Sequence, residues 1–414
     1  MQKIFYGWWI VLATSLIHMW GAGTFYYGFT AFFNPIVDEL GWSYAATSFA
    51  ASLRSVEGGI ASPLVGFATD RYGARRLLVL GSILGGLGFI LLSQIHSLWS
   101  FYLTFIFLSV GSSLFFPVPG WTAVANWFAK KRGIALGALS ASMGIAGLVI
   151  YLINWLIALH GWRQTLVILG IGMWVIGIPS ALVVRTRPEP YGLLPDGDDA
   201  LTSKQGQSPE KLSHQIEKQE EFTARAAIRT RAFWMLAIVV TLSAAALHAV
   251  VVHIMPYLVS MAFSREGAGL TASLLILVSA MGRFFLGLLA SRVDTRYLMA
   301  FALLLQALGM VALTKVESLG MAALFVGLFG PGYGGVITLR LTMQAEFFGS
   351  KAFGAIQGII MAILIIGTMA SPLLAGYCFD LYGTYRPAWL VMAILLFLTI
   401  PISILVRPPK KQAA

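Results

Sequence analysis

The chain of 414 residues alternates long apolar runs with short polar segments. A helix of about 20 apolar residues is long enough to cross the ~30 Å hydrocarbon core of a bilayer, so each run predicts a membrane-spanning helix. The twelve predicted spans are residues 7–33, 44–68, 76–94, 98–127, 133–158, 162–185, 231–262, 268–290, 296–316, 319–347, 352–379 and 385–406. We therefore predict an all-α integral membrane protein with twelve transmembrane helices.

One long polar segment, residues 186–230, separates the sixth span from the seventh. The sequence therefore predicts an N-terminal six-helix bundle over residues 1–185, a cytoplasmic linker, and a C-terminal six-helix bundle over residues 231–414. We interpret the linker as a solvated connection with one surface helix; a segment that docks a partner is the alternative.

An internal repeat relates the two predicted bundles at an offset of about 220 residues. GFATDRYGARR at 66–76 aligns with GLLASRVDTRY at 287–297, and both follow the second span of a six-span half. The segments 126–137 and 346–358 form a second matched pair. The repeat predicts two pseudo-symmetric halves of the same topology, an arrangement typical of transporters that bind their substrate near the bilayer midplane.

Composition and charge agree with a membrane protein. Hydrophobic residues make up 58% of the chain, charged residues only 11%, and the net charge is +11. Most basic residues, including Arg71 and Arg75, fall in loops on one side of the predicted bundle, so the charge indicates cytoplasmic loops and termini rather than nucleic-acid binding. The first span is too long for a cleavable signal peptide, and we expect a multi-pass protein of the plasma membrane, in bacteria the inner membrane.

Arg283 stands in the apolar run LLILVSAMGRFFLGLLA, residues 274–290. It lies nine residues from Arg292, which is about 13 Å of helix and places it near the middle of the membrane. A guanidinium at this depth costs at least ~2.5–3.5 kcal/mol and stays charged. A carboxylate matches its planar two-pronged donor face, so we expect Arg283 to bind either a carboxylate ligand or an acid on another span.

Few acids could supply such an internal partner. Only Glu57 and Glu346 lie within predicted spans. Arg54 precedes Glu57 by three residues on the same helix face, and we expect these two side chains to neutralise one another. Glu346 lies within reach of Arg340. By elimination, Arg283 is the cation that we expect to bind a ligand.

Other polar and aromatic residues of the spans are candidates for the same site. A proton carrier is expected at His248, His253 or Glu57, and each histidine could instead be a hydrogen-bonded interior residue. An apolar wall with hydroxyl donors suits a small organic anion, although packing is the alternative for any single aromatic residue. The aromatic candidates are Tyr26, Tyr27, Trp121, Tyr257 and Tyr333. The spans show no clustered nucleophile, metal-ligand set or acid pair at one depth, so we expect no enzyme, metal or cofactor.

Two sets of residues carry a family resemblance. The pattern Gly66-x3-Asp70-Arg71-x-Gly73-x-Arg75-Arg76 resembles the loop 2–3 signature of the major facilitator superfamily, which implies a role in gating and folding. Four further features resemble the monocarboxylate porter family and its bacterial relatives, which include oxalate/formate exchangers: YGWWIVLA at 6–13, TAFFNPIVDELGWS at 30–43, RTRAFW at 229–234 and the arginine of the eighth span.

This resemblance implies that Arg283 pairs with the carboxylate of the substrate. Ser279 stands where the family has an acid, and Tyr27 stands where it has a lysine. We therefore expect a transporter of small monocarboxylates such as lactate or pyruvate that works by alternating access and proton symport, as a monomer without cofactors. Exchange of carboxylate anions of the oxalate/formate type is one alternative, and a membrane nutrient sensor that does not translocate its ligand is another.

Overall fold

The computed structural model describes residues 5–42, 44–197 and 222–409, and within these residues the regular elements are helices. The α-helices are α1 Tyr6–Gly21, α2 Phe29–Leu40, α3 Tyr44–Tyr72, α4 Ala74–Leu92, α5 Leu98–Phe115, α6 Val118–Trp127, α7 Arg132–Ser142, α8 Gly147–Val183, α9 Ala224–Ile228, α10 Arg231–Ser260, α11 Arg265–Leu289, α12 Thr295–Thr314, α13 Leu319–Phe348, α14 Phe353–Tyr382 and α15 Arg386–Leu405. The all-α prediction is confirmed.

Nine stretches of the described residues are long and apolar enough to cross a membrane. One of them, Arg132–Val183, contains the fifth and sixth predicted spans, and α8 changes direction within it at Gly161, which has a φ of 74°. A positive φ of this kind favours glycine. The first two predicted spans are not among the nine; the first is divided between shorter helices, and the second, α3, contains Arg54 and Glu57.

The first predicted span is not one continuous helix, which corrects the sequence-based expectation. A π-helix, Ala22–Tyr26, follows α1, and the chain resumes as α2 at Phe29. Glycines permit the break: a Cβ at Gly28 would collide with the carbonyl oxygen of Gly23, and a Cβ at Gly23 would collide with the side chain of Val149. Short π segments of this kind occur often at functional sites.

The described chain forms two compact units. Unit 1 comprises the described residues within Met1–Ala135, Ile145–Glu221 and Ser350–Ala362, and unit 2 those within Leu136–Gly144, Phe222–Gly349 and Ile363–Ala414. Most of α7 therefore groups with unit 2, and the beginning of α14 groups with unit 1. The domain limits 1–185, 186–230 and 231–414 stay a prediction, and the linker residues 198–221 lie outside the described part.

In each unit, one glycine at an equivalent position of the sequence repeat lets two helices approach closely. In unit 2, a Cβ at Gly137 of α7 would lie 2.8 Å from the carbonyl oxygen of Arg283 and 3.3 Å from the Cα of Gly287. In unit 1, a Cβ at Gly358 of α14 would collide with the carbonyl oxygen of Ser62 in α3. Gly137 and Gly358 are related by the offset of about 220 residues, so the sequence repeat is also a repeat of backbone packing.

Candidate functional site

Arg283 lies in the C-terminal half of α11, and its side chain is fully buried. Two other helices of unit 2 approach the backbone of α11 closely at this level. On α13, a Cβ at Gly334 would collide with the carbonyl oxygen of Ser279. On α7, Gly137 lies against the carbonyl oxygen of Arg283 itself. These close contacts hold α7 and α13 at fixed positions around the arginine.

The guanidinium of Arg283 is only partly satisfied. Its Nη1 donates to the carbonyl oxygen of Ser140 at 3.0 Å, and its Cζ lies 5.8 Å from the ring centroid of Tyr333. Nε and Nη2 are buried and make no hydrogen bond with any residue that the structure describes. Nε–H and Nη2–H point in parallel from one edge of the guanidinium, which is the edge that binds a carboxylate with two hydrogen bonds.

Ser279, one turn before Arg283, is neutral and buried. Its hydroxyl donates to the carbonyl oxygen of Ile276 at 2.7 Å, within its own helix. The position at which the family resemblance implies an acid therefore supplies no counter-charge to Arg283.

The predicted ion pair of Arg54 with Glu57 is wrong. Nη1 of Arg54 donates to the carbonyl oxygens of Phe25 at 3.1 Å and Tyr26 at 3.3 Å, and its Cζ lies 5.5 and 5.4 Å from their ring centroids. Both carbonyls lie where the π-helix ends, so they are available to an external donor. Glu57 accepts instead from the hydroxyl of Ser113, at 3.1 and 3.2 Å to its two oxygens.

The five aromatic candidates for the substrate site do not all lie in the same unit. Tyr333 is the candidate that contacts Arg283. Tyr257 is buried elsewhere in unit 2, where its hydroxyl donates to the carbonyl oxygen of Leu313 at 2.8 Å. In unit 1, the rings of Tyr26 and Tyr27 meet edge to face with centroids 5.0 Å apart, and Trp121 is buried in α6. A role of these four residues in substrate binding stays a prediction.

The two histidine candidates lie on α10 of unit 2. Nε2 of His253 is 2.9 Å from the carbonyl oxygen of Pro372, and its Nδ1 is 3.2 Å from the hydroxyl of Tyr385. Because the carbonyl can only accept, Nε2 carries a hydrogen and donates to it. Both ring nitrogens of His253 therefore have a hydrogen-bond partner within unit 2. His248 is half-buried, and its role stays a prediction.

Comparison with known proteins places these features in a family. A model of the major facilitator superfamily matches residues 15–313 and 254–414, which together cover most of the chain. The chain belongs to the major facilitator superfamily.

Among its relatives, monocarboxylate transporter 2 of Rattus norvegicus is 22% identical over 396 residues, which cover 94% of this chain and 81% of that protein. Monocarboxylate transporter 12 of Mus musculus is 24% identical over 390 residues, covering 87% and 77%. The proton:xylose symporter XylE has the same fold, with a TM-score of 0.77 at 14% identity over 96% of this chain and 94% of that one. The human organic anion transporter MFSD10 matches with a TM-score of 0.69 at 13% identity, covering 97% and 100%. The protein is thus a membrane transporter, not an enzyme.

The superfamily signature at the end of α3 forms a hydrogen-bonded contact within unit 1. The Asp70 carboxylate accepts from the backbone N–H groups of Gly354 at 3.1 Å and Ala355 at 2.8 Å. Asp70 lies beyond the predicted second span; its burial outweighs these two hydrogen bonds and raises the pKa of its carboxyl to about 6. A Cβ at Gly66 would collide with the carbonyl oxygen of Gly354, so glycine is needed there.

The remaining signature residues lie around the turn that follows. Gly73 has a φ of 88° and precedes α4. Arg71 and Arg75 are exposed, and the Cζ of Arg71 lies 5.5 Å from the ring centroid of Tyr72. The prediction that both arginines lie in a loop is wrong: Arg71 is in the last turn of α3 and Arg75 is in the first turn of α4, and the turn between these helices is at Gly73. Their role in gating stays a prediction.

Sequence reasoning missed two arrangements. Ser140 binds Arg283 through a main-chain carbonyl, which depends on where α7 lies and not on the type of side chain. The Asp196 carboxylate accepts from three consecutive backbone N–H groups, those of Ala129, Lys130 and Lys131, at 2.9, 2.6 and 3.1 Å. The spacing of small residues in α7 was the available signal for the first; no sequence pattern indicated the second.

Proposed function

We propose that this transporter carries small monocarboxylates, such as lactate or pyruvate, by proton symport and that Arg283 binds the substrate carboxylate. The observation that carries the proposal is the fully buried guanidinium whose Nε and Nη2 have no acceptor among the described residues. A buried cation of this kind is costly unless an anion completes it. The names of the relatives support a monocarboxylate as that anion.

A carboxylate fits the free edge of Arg283 with both of its oxygens. Its two oxygens accept from Nε and Nη2 in the plane of the guanidinium, while Nη1 keeps its bond to Ser140. The ring of Tyr333 near the guanidinium adds an aromatic face at the same level. The substrate would neutralise Arg283 and satisfy both of its remaining donor groups.

For the proton, the contacts favour Glu57 over His253. Glu57 has a neutral hydroxyl as its hydrogen-bond partner, and Arg54 is engaged by backbone carbonyls. An ionisable residue inside a membrane is by default a functional candidate. The ring of His253 already has two partners in unit 2. We therefore assign proton carriage to Glu57.

One observation favours a second function, the exchange of carboxylate anions. Ser279 provides no internal counter-charge, so Arg283 without substrate stays a buried, incompletely paired cation. Return of the empty carrier would then be slow, and exchange of one bound carboxylate for another would be fast.

Uptake of labelled lactate into proteoliposomes tests these functions. For proton symport we expect an inward proton gradient to stimulate wild-type uptake and Glu57→Gln to abolish that stimulation. Glu317→Gln is the matched control, because Glu317 is an exposed acid that contacts Arg386. Lactate exchange without any proton stimulation would contradict symport and support the exchanger. Saturable lactate binding without uptake or exchange would contradict both functions and support a sensor.

A further inference from the structure

Ser140 has a buried hydroxyl beside the candidate carboxylate site. Its side chain is fully buried on α7, and its Oγ makes no hydrogen bond within the described part of the chain. Its own carbonyl oxygen is the acceptor that Nη1 of Arg283 contacts at 3.0 Å. Ser140 thus contributes both the acceptor for the guanidinium and, on the same turn of α7, a hydroxyl without a partner among the described residues.

Nearby serine and threonine hydroxyls behave differently. Ser142, on the same helix, donates to the carbonyl oxygen of Leu139 at 2.6 Å. Ser279 donates to Ile276 in the same way, and Thr338 donates to the carbonyl oxygen of Arg283 at 3.1 Å. Helical hydroxyls normally satisfy themselves on such carbonyls. The hydroxyl of Ser140 is therefore the one of these four that is available to a ligand.

The close approach of α7 to α11 fixes the position of this hydroxyl. A Cβ at Gly137 would lie 2.8 Å from the carbonyl oxygen of Arg283, and a Cβ at Gly144 would lie 2.5 Å from the Cβ of Ala280. Ser140 lies on α7 between Gly137 and Gly144, which follows the end of the helix. A contact with α11 backbone on one side and with the Cβ of Ala280 on the other thus holds this part of the chain against α11 at the level of Arg283.

We propose that the Ser140 hydroxyl binds the oxygen on carbon 2 of the substrate, so that this site selects 2-hydroxy and 2-oxo monocarboxylates over unsubstituted ones. This inference rests on the proposed binding of the carboxylate by Arg283. In a 2-hydroxy acid the second oxygen lies next to the carboxylate, so a donor beside the guanidinium meets it. A hydroxyl both donates and accepts, and it therefore suits a 2-hydroxyl and a 2-oxo group alike.

Lactate and propionate differ only in the 2-hydroxyl, so this pair of substrates tests the inference. We expect Ser140→Ala to raise the apparent KM for lactate about three- to tenfold, the effect of one neutral hydrogen bond, and to leave the KM for propionate unchanged. Ser142→Ala is the matched control, since it removes a hydroxyl of the same helix that is already bonded to Leu139. Ser140→Thr, which keeps the hydroxyl, should restore the preference for lactate.

Each outcome decides between this inference and the function on which it rests. A wild-type protein that transports neither acid contradicts the Arg283 proposal itself. If the wild type transports both acids but Ser140→Ala weakens both equally, Ser140 has only a structural role and the inference is overturned. An unchanged KM for lactate in Ser140→Ala also overturns it, while carboxylate transport through Arg283 stands.

Discussion

Replacement of Arg283 by lysine separates the geometry of the site from its charge. Lysine keeps a positive charge at the same position in α11. It loses the planar edge on which Nε–H and Nη2–H lie in parallel, and its ammonium cannot both contact the Ser140 carbonyl and bind two carboxylate oxygens side by side. The substitution thus removes one of the two hydrogen bonds that we propose for the substrate.

The structure sets the size of the expected loss. Hydrogen bonds to charged groups contribute about 1.5–3 kcal/mol each, and a tenfold change in affinity corresponds to about 1.4 kcal/mol. Loss of one such bond in a fully buried site should therefore weaken apparent substrate affinity by about 10- to 150-fold. We expect a loss of affinity near the upper end of this range, because water cannot replace the missing donor in a buried site.

Labelled-substrate counterflow in proteoliposomes measures this loss as a change in KM. Arg296→Lys is the control: Arg296 is a half-buried arginine paired with the exposed Asp294, at 2.6 Å between Nη2 and Oδ2, and its replacement should leave KM unchanged. Both variants must be equally abundant and monodisperse in detergent. A KM for Arg283→Lys within about threefold of wild type would refute two-pronged binding of the carboxylate.

Two further predictions concern stability. Burial raises the pKa of the Asp70 carboxyl from 3.8 to about 6, so the folded protein binds more protons than the unfolded chain in this range. The free energy of unfolding should therefore fall by up to ~3 kcal/mol as the pH rises from about 4 to about 6. Asp70→Asn should remove this decline in a series of thermal melts at different pH values. Gly137→Ala should lower the melting temperature, because its Cβ would lie 2.8 Å from a backbone oxygen that cannot move alone; overpacking of this kind costs about 1–3 kcal/mol.

Each of these predictions has a control and a contrary outcome. For Asp70, equal pH dependence of melting in wild type and Asp70→Asn would show that another group controls the transition. For Gly137, the control is Gly327→Ala in α13, where no atom lies within 4 Å of the added Cβ. Alanine is the better helix former there, so this control should melt no lower than wild type. Equal melting of the Gly137 and Gly327 variants would contradict the close packing of α7 on α11.

The sequence was sufficient for Arg283 because the argument needed only its own helix. An arginine in the middle of an apolar run is costly wherever the helix packs, and the structure places its side chain fully buried on α11. Gly133 and Gly137 of α7 lie one turn apart, a local pattern that permits close helix packing whatever the partner is. The repeat and the spans followed from the same local patterns, and the superfamily match confirmed the fold that they implied.

Sequence reasoning failed where the partner came from another part of the chain. Arg54 and Glu57 share a helix face, and the rule for residues three apart paired them. The structure gives Arg54 the carbonyls of Phe25 and Tyr26 instead, and these exist as acceptors only because α1 ends in a π-helix. The hydroxyl of Ser140 was missed for a similar reason, since its importance depends on the carbonyl that brings it beside Arg283.

The glycine contacts around Arg283 also determine how the substrate range of this protein could change during evolution. A larger residue at Gly137 or Gly334 would have to move a helix, because the opposing atoms belong to backbone. Side chains such as Ser140 and Tyr333 can be exchanged without displacing any backbone. New specificities should therefore arise by substitution of these side chains while the glycines are kept. Related sequences are expected to share the glycines and to differ at the side chains that we propose to contact the ligand.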